Sequence, residues 1–387
     1  MSGLNDIKFI KGQGGLGRTL PNEDHKSGIV FLRSYPAGGS APAVPFTYDK
    51  VTSIADAESK GITETSYPEE HYQIKEFFRI QPDSILHVMF GASEDANYDF
   101  AEVTTLQNNA DGELRQIAVM TYSAFALTNV PKIQVVAETL EAAHKPVSII
   151  YAADLTGMTL LNLPDLRDQD SAKVSVVIAM DGNAEGKALF DAGKIVPATG
   201  ATLGAVSKAL VNENIAWVEQ FKMSSEELDV PAFANGELFK DTPEATLIQL
   251  NERGYIFLRK HIGIAGSYFN DSHTCTAITS DYAYIENVRT IDKGIRNVRT
   301  VLLPKLNSPV KLKADGTLTL ETITDWTNKA ENALEQMKKD GEISDYKVEI
   351  DPNQNIGSTS KLVINITLVI NGVARNVEVE IGYGTIN

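Results

Sequence analysis

The feature that most limits the fold is a series of short apolar runs, each of strand length, along the first half of the chain. They are GIVFLRSYP (28–36), ILHVMFGA (85–92), QIAVMTYSA (116–124), VSIIYAAD (147–154) and VSVVIAMD (174–181). Runs of this length, bounded by turn signals, read as buried strands. Between some of them lie segments with apolar residues at helical spacing, such as PKIQVVAETLEAAHK (131–145). Strands alternating with helices of this length predict an α/β architecture: a central mixed, largely parallel sheet with flanking helices. ATGATLGAVSKALVNEN (198–214) adds a small-residue helix, expected to pack closely on that sheet.

The texture changes after Gly254. GYIFLRKHIGIAGSYFND reads as two strands, and YIENVRTIDKGIRNVRTVLLP (284–304) as a helix capped by Ser280 or Asp281 and ended by Pro304. ITDWTNKAENALEQMKKDG (323–341) is an amphipathic helix stopped by Gly341. YKVEID, KLVINITLVI and VARNVEVEIGYG follow as strands of alternating character, with Val377, Val379 and Ile381 on one face of the last. At 387 residues the chain exceeds what one core usually covers. The expected division is an N-terminal arm and linker (1–27), an α/β domain (28–253), a C-terminal α+β domain (254–370) and a C-terminal strand arm (371–387). The α/β domain includes an outward-facing acidic region at about 51–120.

Charge and cysteine content exclude several classes of function. A net charge of −16 and a pI near 4.9 argue against wrapping nucleic acid or adhering to an anionic membrane. Cys275 is the only cysteine, which rules out an intramolecular disulfide and a Cys-rich zinc site. The N-terminus lacks an apolar signal region, and no run approaches the roughly 20 apolar residues of a membrane span. A soluble protein made in the cytosol is expected.

The candidate chemistry is thin. GQGGLG (12–17) has the letters of a dinucleotide fingerprint, but RTLPNEDHKSG follows it, and no helix can open there to meet a pyrophosphate. DGNAEGKAL (181–189) is too short for a P-loop, and Ala188 stands where a magnesium-binding hydroxyl is needed. His261, Asp271, His273 and Cys275 form a local group of potential metal ligands whose spacing matches no metal motif. Cys275 could act as a nucleophile beside His273 only if exposed and electropositive, so a buried thiol is the default. No catalytic residue, cofactor or metal is expected, and the chain does not read as an enzyme.

The helix at 284–304 is more informative. Tyr284, Val288, Ile291, Ile295, Val298 and Leu302 form one apolar stripe, expected to face the core. Arg289, Lys293 and Arg296 project from nearly the opposite face, with Arg299 beyond them. Two readings stay open: a solvated face with local pairs to Glu286 and Asp292, or a basic face meeting acidic faces on another copy. Both termini also offer strand edges. A short N-terminal strand on a glycine-rich tether and the C-terminal strand can add to a neighbour's sheet. Asn371-Gly372 instead favours a hairpin that folds the last strand back onto its own subunit.

GYIFLRKHIGIAGSYFNDSHTCT (254–276), running into SDYAYIENVRTIDKGIRNVRTVLLP (280–304), resembles the C-terminal half of tail sheath proteins of contractile phage tails and related contractile injection systems. So do the following ENALEQMKKDGEIS, YKVEIDPNQN, KLVINITLVI and GVARNVEVEIG, and the upstream GATLGAVSKALVNENIAWVE (200–219). The resemblance implies a non-enzymatic single-chain sheath subunit, with 254–370 as its sheath domain. Such subunits stack as six-fold rings in a helical homo-oligomer around an inner tube protein, contact baseplate and terminator or cap proteins, and contract to drive the tube through a target envelope. It implies no nucleic-acid partner and no direct membrane insertion. Assembly would take place in the cytoplasm of the producing cell, as part of a phage tail or of a released or anchored particle. Carried over to this chain, an N-terminal arm around Ile7, Phe9 and Ile10 and a C-terminal arm around Val377, Val379 and Ile381 would complete a sheet whose home strands are 345–351 and 361–370. The helix ending in Lys338, Lys339 and Asp340 would face the tube, and Arg289, Lys293, Arg296 and Arg299 would meet acidic faces of other copies. The alternatives are a nucleotide-dependent α/β enzyme using GQGGLG, one chain of a two-component sheath, and a tail tube or capsid subunit.

Overall fold

Strand β1 (Ser27–Tyr35) is buried on both faces, and its side chains sort by parity. Ile29 and Phe31 enter one apolar core, and Val30 and Leu32 the other. The structure, a computed structural model, describes residues 23–383. The expected N-terminal arm residues Ile7, Phe9 and Ile10 and the GQGGLG stretch lie outside the described residues.

After β1 come β2 (Tyr48–Val51), α1 (Ile54–Ser59), α2 (Pro68–Ile80), β3 (Leu86–Glu94), α3 (Ala101–Asn109), β4 (Gln116–Ala124), α4 (Asn129–Ala142) and β5 (Ser148–Asp154). The chain continues through β6 (Val174–Val177), β7 (Ala179–Asp181), α5 (Glu185–Asp191), α6 (Thr199–Lys208), β8 (Pro231–Phe233), α7 (Glu244–Glu252) and β9 (Tyr255–Ile256). A seven-stranded sheet runs in the order β2-β3-β1-β4-β5-β6-β9, parallel except for β2 at one edge. Helices α2 and α6 cover one face, and α3 and α4 the other. This is the mixed, mostly parallel α/β layer expected from the apolar runs.

The small residues of α6 let it seat closely on α2. A β-carbon at Gly200 would lie 1.9 Å from the Gln73 carbonyl oxygen. The Gln73 side chain staples the pair, donating to the Pro197 carbonyl at 2.8 Å and accepting from the Gly200 amide at 2.7 Å.

The remaining elements are β10 (Leu258–His261), β11 (Ile264–Phe269), α8 (Ile285–Leu302), α9 (Leu320–Lys339), β12 (Ile343–Glu349), the single turn α10 (Ile356–Thr359) and β13 (Asn365–Ile370). Two expectations are corrected here. Residues 255–256 complete the far edge of the main sheet, and Leu258 and Phe269 enter one of its cores, so a domain boundary at residue 254 would cut through the body. The change of texture there marks a hairpin added to the same core. The stretch 51–120 is not an outward-facing unit: it contains α2 and β3, and Glu69, Glu70 and Glu76 are buried.

Counting both faces of the main sheet as the core of the body, a second, smaller core begins within α8. Ala330, Leu334 and Met337 of α9 pack on Ile343 and Val348 of β12, with Val298 of α8 and Ile366 and Leu368 of β13 at the margin. The α8 cap is Tyr284, not Ser280 or Asp281, and Pro304 lies in the 3-10 turn Leu303–Lys305 that follows the helix. Helix α9 ends at Lys339, and Gly341 takes the left-handed conformation at φ +74° that stops it. Among the described residues no helix is long and apolar enough to cross a membrane.

Candidate functional site

Helix α8 lies between the two cores, and its cationic side faces inward. Arg289 and Lys293 are buried, whereas Ile295 of the expected core stripe is exposed. Lys293 Nζ pairs with Asp24 Oδ2 at 2.7 Å and with Glu342, just before β12. Arg296 Nη2 donates to Asp24 Oδ1 at 2.7 Å, and its Nε lies 3.6 Å from Glu23. Arg289 donates to the carbonyls of Ala209, Leu210 and Asp24. On the same helix, the buried Asp292 accepts from Lys173 at 2.6 Å, which holds α8 against the body. The expectation of a free basic face is therefore corrected for Arg289, Lys293 and Arg296, and only Arg299 is exposed. Burial would raise the Asp24 carboxyl, but Lys293, Arg296 and Arg289 outweigh it and hold it below the usual carboxylate range.

The other end of α8 carries the opposite charge. Glu286, 3 % exposed, accepts from the Ser272 hydroxyl and from Arg375 Nη2, the latter at 2.6 Å. Arg375 Nε donates to Asp271 Oδ2 at 2.9 Å, and its guanidinium lies 3.4 Å from the Tyr284 ring centroid. Burial raises the Glu286 carboxyl, although Ser272 and Arg375 both pull it down. Arg375 was not singled out from the sequence. Its one signal was to be the only basic residue of the final strand pattern, VARNVEVEIGYG.

From Asn376 to Tyr383 every residue is exposed. Val377, Val379 and Ile381 are 76 %, 73 % and 88 % exposed, and no described residue from 371 to 383 belongs to a strand. The hairpin favoured by Asn371-Gly372 does not form. Asn371 instead donates to the Gly341 carbonyl and accepts from the Ser344 hydroxyl. Nearby, among the described residues, β12 and β13 pair only with each other, antiparallel, from Ile343↔Ile370 to Glu349↔Asn365. They match the home strands expected at 345–351 and 361–370 to within a few residues. Lys338, Lys339 and Asp340 are exposed at the end of α9, where Lys338 pairs with Asp345 and Lys339 with Glu335.

At the strand ends where an α/β sheet commonly binds ligands, the described side chains pair with one another. Parallel α/β sheets bind ligands outside the strand ends where the order reverses, here between β1 and β4. At that end Arg33 Nη2 contacts Glu69 at 2.9 Å and Glu70 at 2.7 Å, and the Tyr122 hydroxyl donates to Glu70 at 2.8 Å. Arg33 also lies 4.2 Å over the Tyr122 ring. At DGNAEGKAL, the amide of Ala184 donates to the carboxylate of Asp181, as does that of Leu228. His273 accepts from Arg167 through Nδ1 at 2.9 Å and donates through Nε2 to Asn251 at 3.0 Å, and burial pushes it down to about 4. Asp271 is held by Arg375, His261 lies apart on the β10–β11 hairpin, and burial pushes the enclosed Cys275 thiol well up.

The family model described as DUF2586, N-terminal domain, matches residues 4–273, and that described as DUF2586, C-terminal domain, matches residues 281–385. No curated protein matches the chain. Among solved structures, the contracted helical sheath of the anti-feeding prophage is similar at a TM-score of 0.65 and 14 % identity, over 99 % of each chain. The contracted PVC sheath complex of an extracellular contractile injection system gives 0.63 and 11 % identity, over 99 % of this chain and 98 % of that one. A chain of the six-fold symmetrised anti-feeding prophage baseplate gives 0.60 and 13 % identity, over the full length of both.

Proposed function

The chain belongs to the DUF2586 family and has the fold found in sheaths of contractile injection systems, and from that premise we propose that it is a sheath subunit. In this reading it polymerises as stacked six-fold rings around an inner tube and contracts to drive that tube outward. Its other partners are a baseplate and a terminal cap, and it assembles in the cytoplasm of the producing cell as part of a phage-tail-like particle. The role is structural and not catalytic. The observation that carries the reading is likeness over the whole length of two sheath chains, both cores included. Two local features support it. Among the described residues the β12–β13 sheet has an unpaired edge on each side, and the exposed residues 376–383 have the alternating apolar pattern of a strand. Donated to a neighbour, that strand would add main-chain hydrogen bonds of about 1 kcal/mol each.

Negative-stain electron microscopy of the purified chain, beside versions lacking residues 1–17 or 376–387, tests this. Long hollow tubes from the intact chain that are lost on either truncation are expected. Single subunits under all salt conditions would overturn the reading.

A further inference from the structure

The residues next to the two segments expected to cross to neighbouring subunits are both held on one face of α8, one set at its first turn and the other along its middle. Residues 23 and 24, where the described chain begins, are held by Arg296, Lys293 and Arg289 of α8, with Arg115 of the neighbouring loop pairing with Glu23. Arg375, the last described residue whose side chain makes an ion pair with the body, is held by Glu286 and Tyr284 at the first turn of α8 and by Asp271 beside it. From Glu286 to Lys293 is seven residues, about 10 Å along the axis. The two attachments have opposite polarity: an acidic root on basic side chains and a basic root on acidic ones. Each root therefore fits only its own part of the helix.

We propose that α8 is a common anchor for both exchanged arms, with Glu23 and Asp24 fixing the root of one and Arg375 the root of the other. The inference rests on the sheath reading and adds the residues that transmit load. A strand shared with a neighbour pulls on its root whenever the two bodies reorient. A root held only by main chain would peel away from its subunit. These roots are instead tied by buried or half-buried ion pairs, which are costly to break one partner at a time. Lys293 extends the link, because it also pairs with Glu342 at the start of β12, the strand that would receive a neighbour's arm. Donated and received strands thus converge on one rigid element. Arg375 and Asp24 act as positioning residues: they set where the free strand begins, at about residue 376 for the C-terminal arm.

The test compares the intact chain with Arg375→Gln, with the pair Glu23→Gln and Asp24→Asn, and with a control, Lys222→Gln and Lys240→Gln, which removes exposed charges of the body. Two quantities are read: the urea concentration that dissolves assembled tubes, and the distance between spin labels at Asn376→Cys and Thr300→Cys in dissociated subunits. The buried Cys275 stays unlabelled. Tubes of both root variants should dissolve at clearly lower urea while the control behaves as the intact chain. The label distances should be narrow in the intact chain and broad with Arg375→Gln. Root variants whose tubes resist urea like the control would overturn the anchor. If the intact chain forms no tubes, the sheath reading fails by itself, and the labels then decide the C-terminal root: equal breadth with and without Arg375 overturns it.

Discussion

The body and the C-terminal unit solve the same problem in opposite ways. The body sheet is covered by helices on both faces, and its two edges are short: four residues of β2 and two of β9. Short edges give a neighbour little to pair with. The C-terminal unit leaves seven residues of β12 and six of β13 without a further strand among the described residues, and Val369 and Ile370 are exposed. A two-stranded sheet is marginal unless something packs on it, and here α9 covers only one face. The body sheet is covered and short-edged within the single chain, whereas the C-terminal unit has the two-stranded sheet that the proposed function would extend with a neighbour's strand.

If that contrast holds, damage to the body should be global and damage to the C-terminal unit local. Phe31, central in β1 and fully buried, is the strongest test. Phe31→Ala should cost about 3–5 kcal/mol and lower the main calorimetric transition of the whole subunit. Leu334→Ala in the smaller core should cost about 2–4 kcal/mol, but its effect should stay in residues 320–370. Amide hydrogen exchange should rise there and remain unchanged in β1, β3 and β4. A Leu334→Ala variant that loosens both regions equally would mean that α8 fuses them into one cooperative unit.

The body was legible in the sequence because its sheet is covered on both faces. QIAVMTYSA coincides with β4, and ILHVMFGA and VSIIYAAD fall within a residue or two of β3 and β5, because strands buried on both faces must be apolar throughout. VSVVIAMD splits into β6 and β7 at Ile178, whose amide bonds to Ile256 and whose carbonyl receives Ala234, a long-range exchange with no local signal. Helix α8 misled the periodicity reading because it is wedged between two cores, and its buried charges find partners such as Asp24, 272 residues from Arg296. A charge pattern shows where salt bridges could form along one helix, not which distant carboxylates fold against it. The Asn371-Gly372 turn failed for a similar reason: Arg375 draws the chain towards Asp271 and Glu286, against the local preference.

Acidification should separate the two roots held on α8. The Asp24 carboxyl is depressed, so its stabilising contribution is present above the ordinary aspartate range and is lost only as pH falls through its lowered value. The Glu286 carboxyl is raised, so its contribution to folding has the opposite sign: present at low pH and lost as pH rises through its raised value. Lowering pH therefore does not unfold the subunit through Glu286. It does discharge Glu286 before Asp24, which removes the Glu286 charge facing Arg375 while the Asp24 charge remains on Lys293 and Arg296. A spin label at Asn376→Cys should become mobile at a higher pH than any change at residues 23–24, followed by their amide exchange. Simultaneous release of both roots would show that the pairs act as one network.

The smallest expected effect sharpens the contrast from the other side. Some ion pairs in the body include a buried partner, as in Arg33 with the fully buried Glu70. Those of the C-terminal unit lie largely in solvent, as in Lys311 with Glu321 at 3.0 Å, both side chains 72 % exposed. Water and salt screen such a pair, and its worth is about 0–1 kcal/mol. Lys311→Gln should leave the thermal transition of the isolated subunit unchanged within about 0.5 kcal/mol, measured at low and high salt. Because the fold does not need these charges, a change in tube assembly with no change in subunit stability would identify Lys311 as a contact to another copy. A loss of subunit stability would show that the C-terminal unit depends on its surface pairs, and the division between the body and the C-terminal unit would have to be drawn elsewhere.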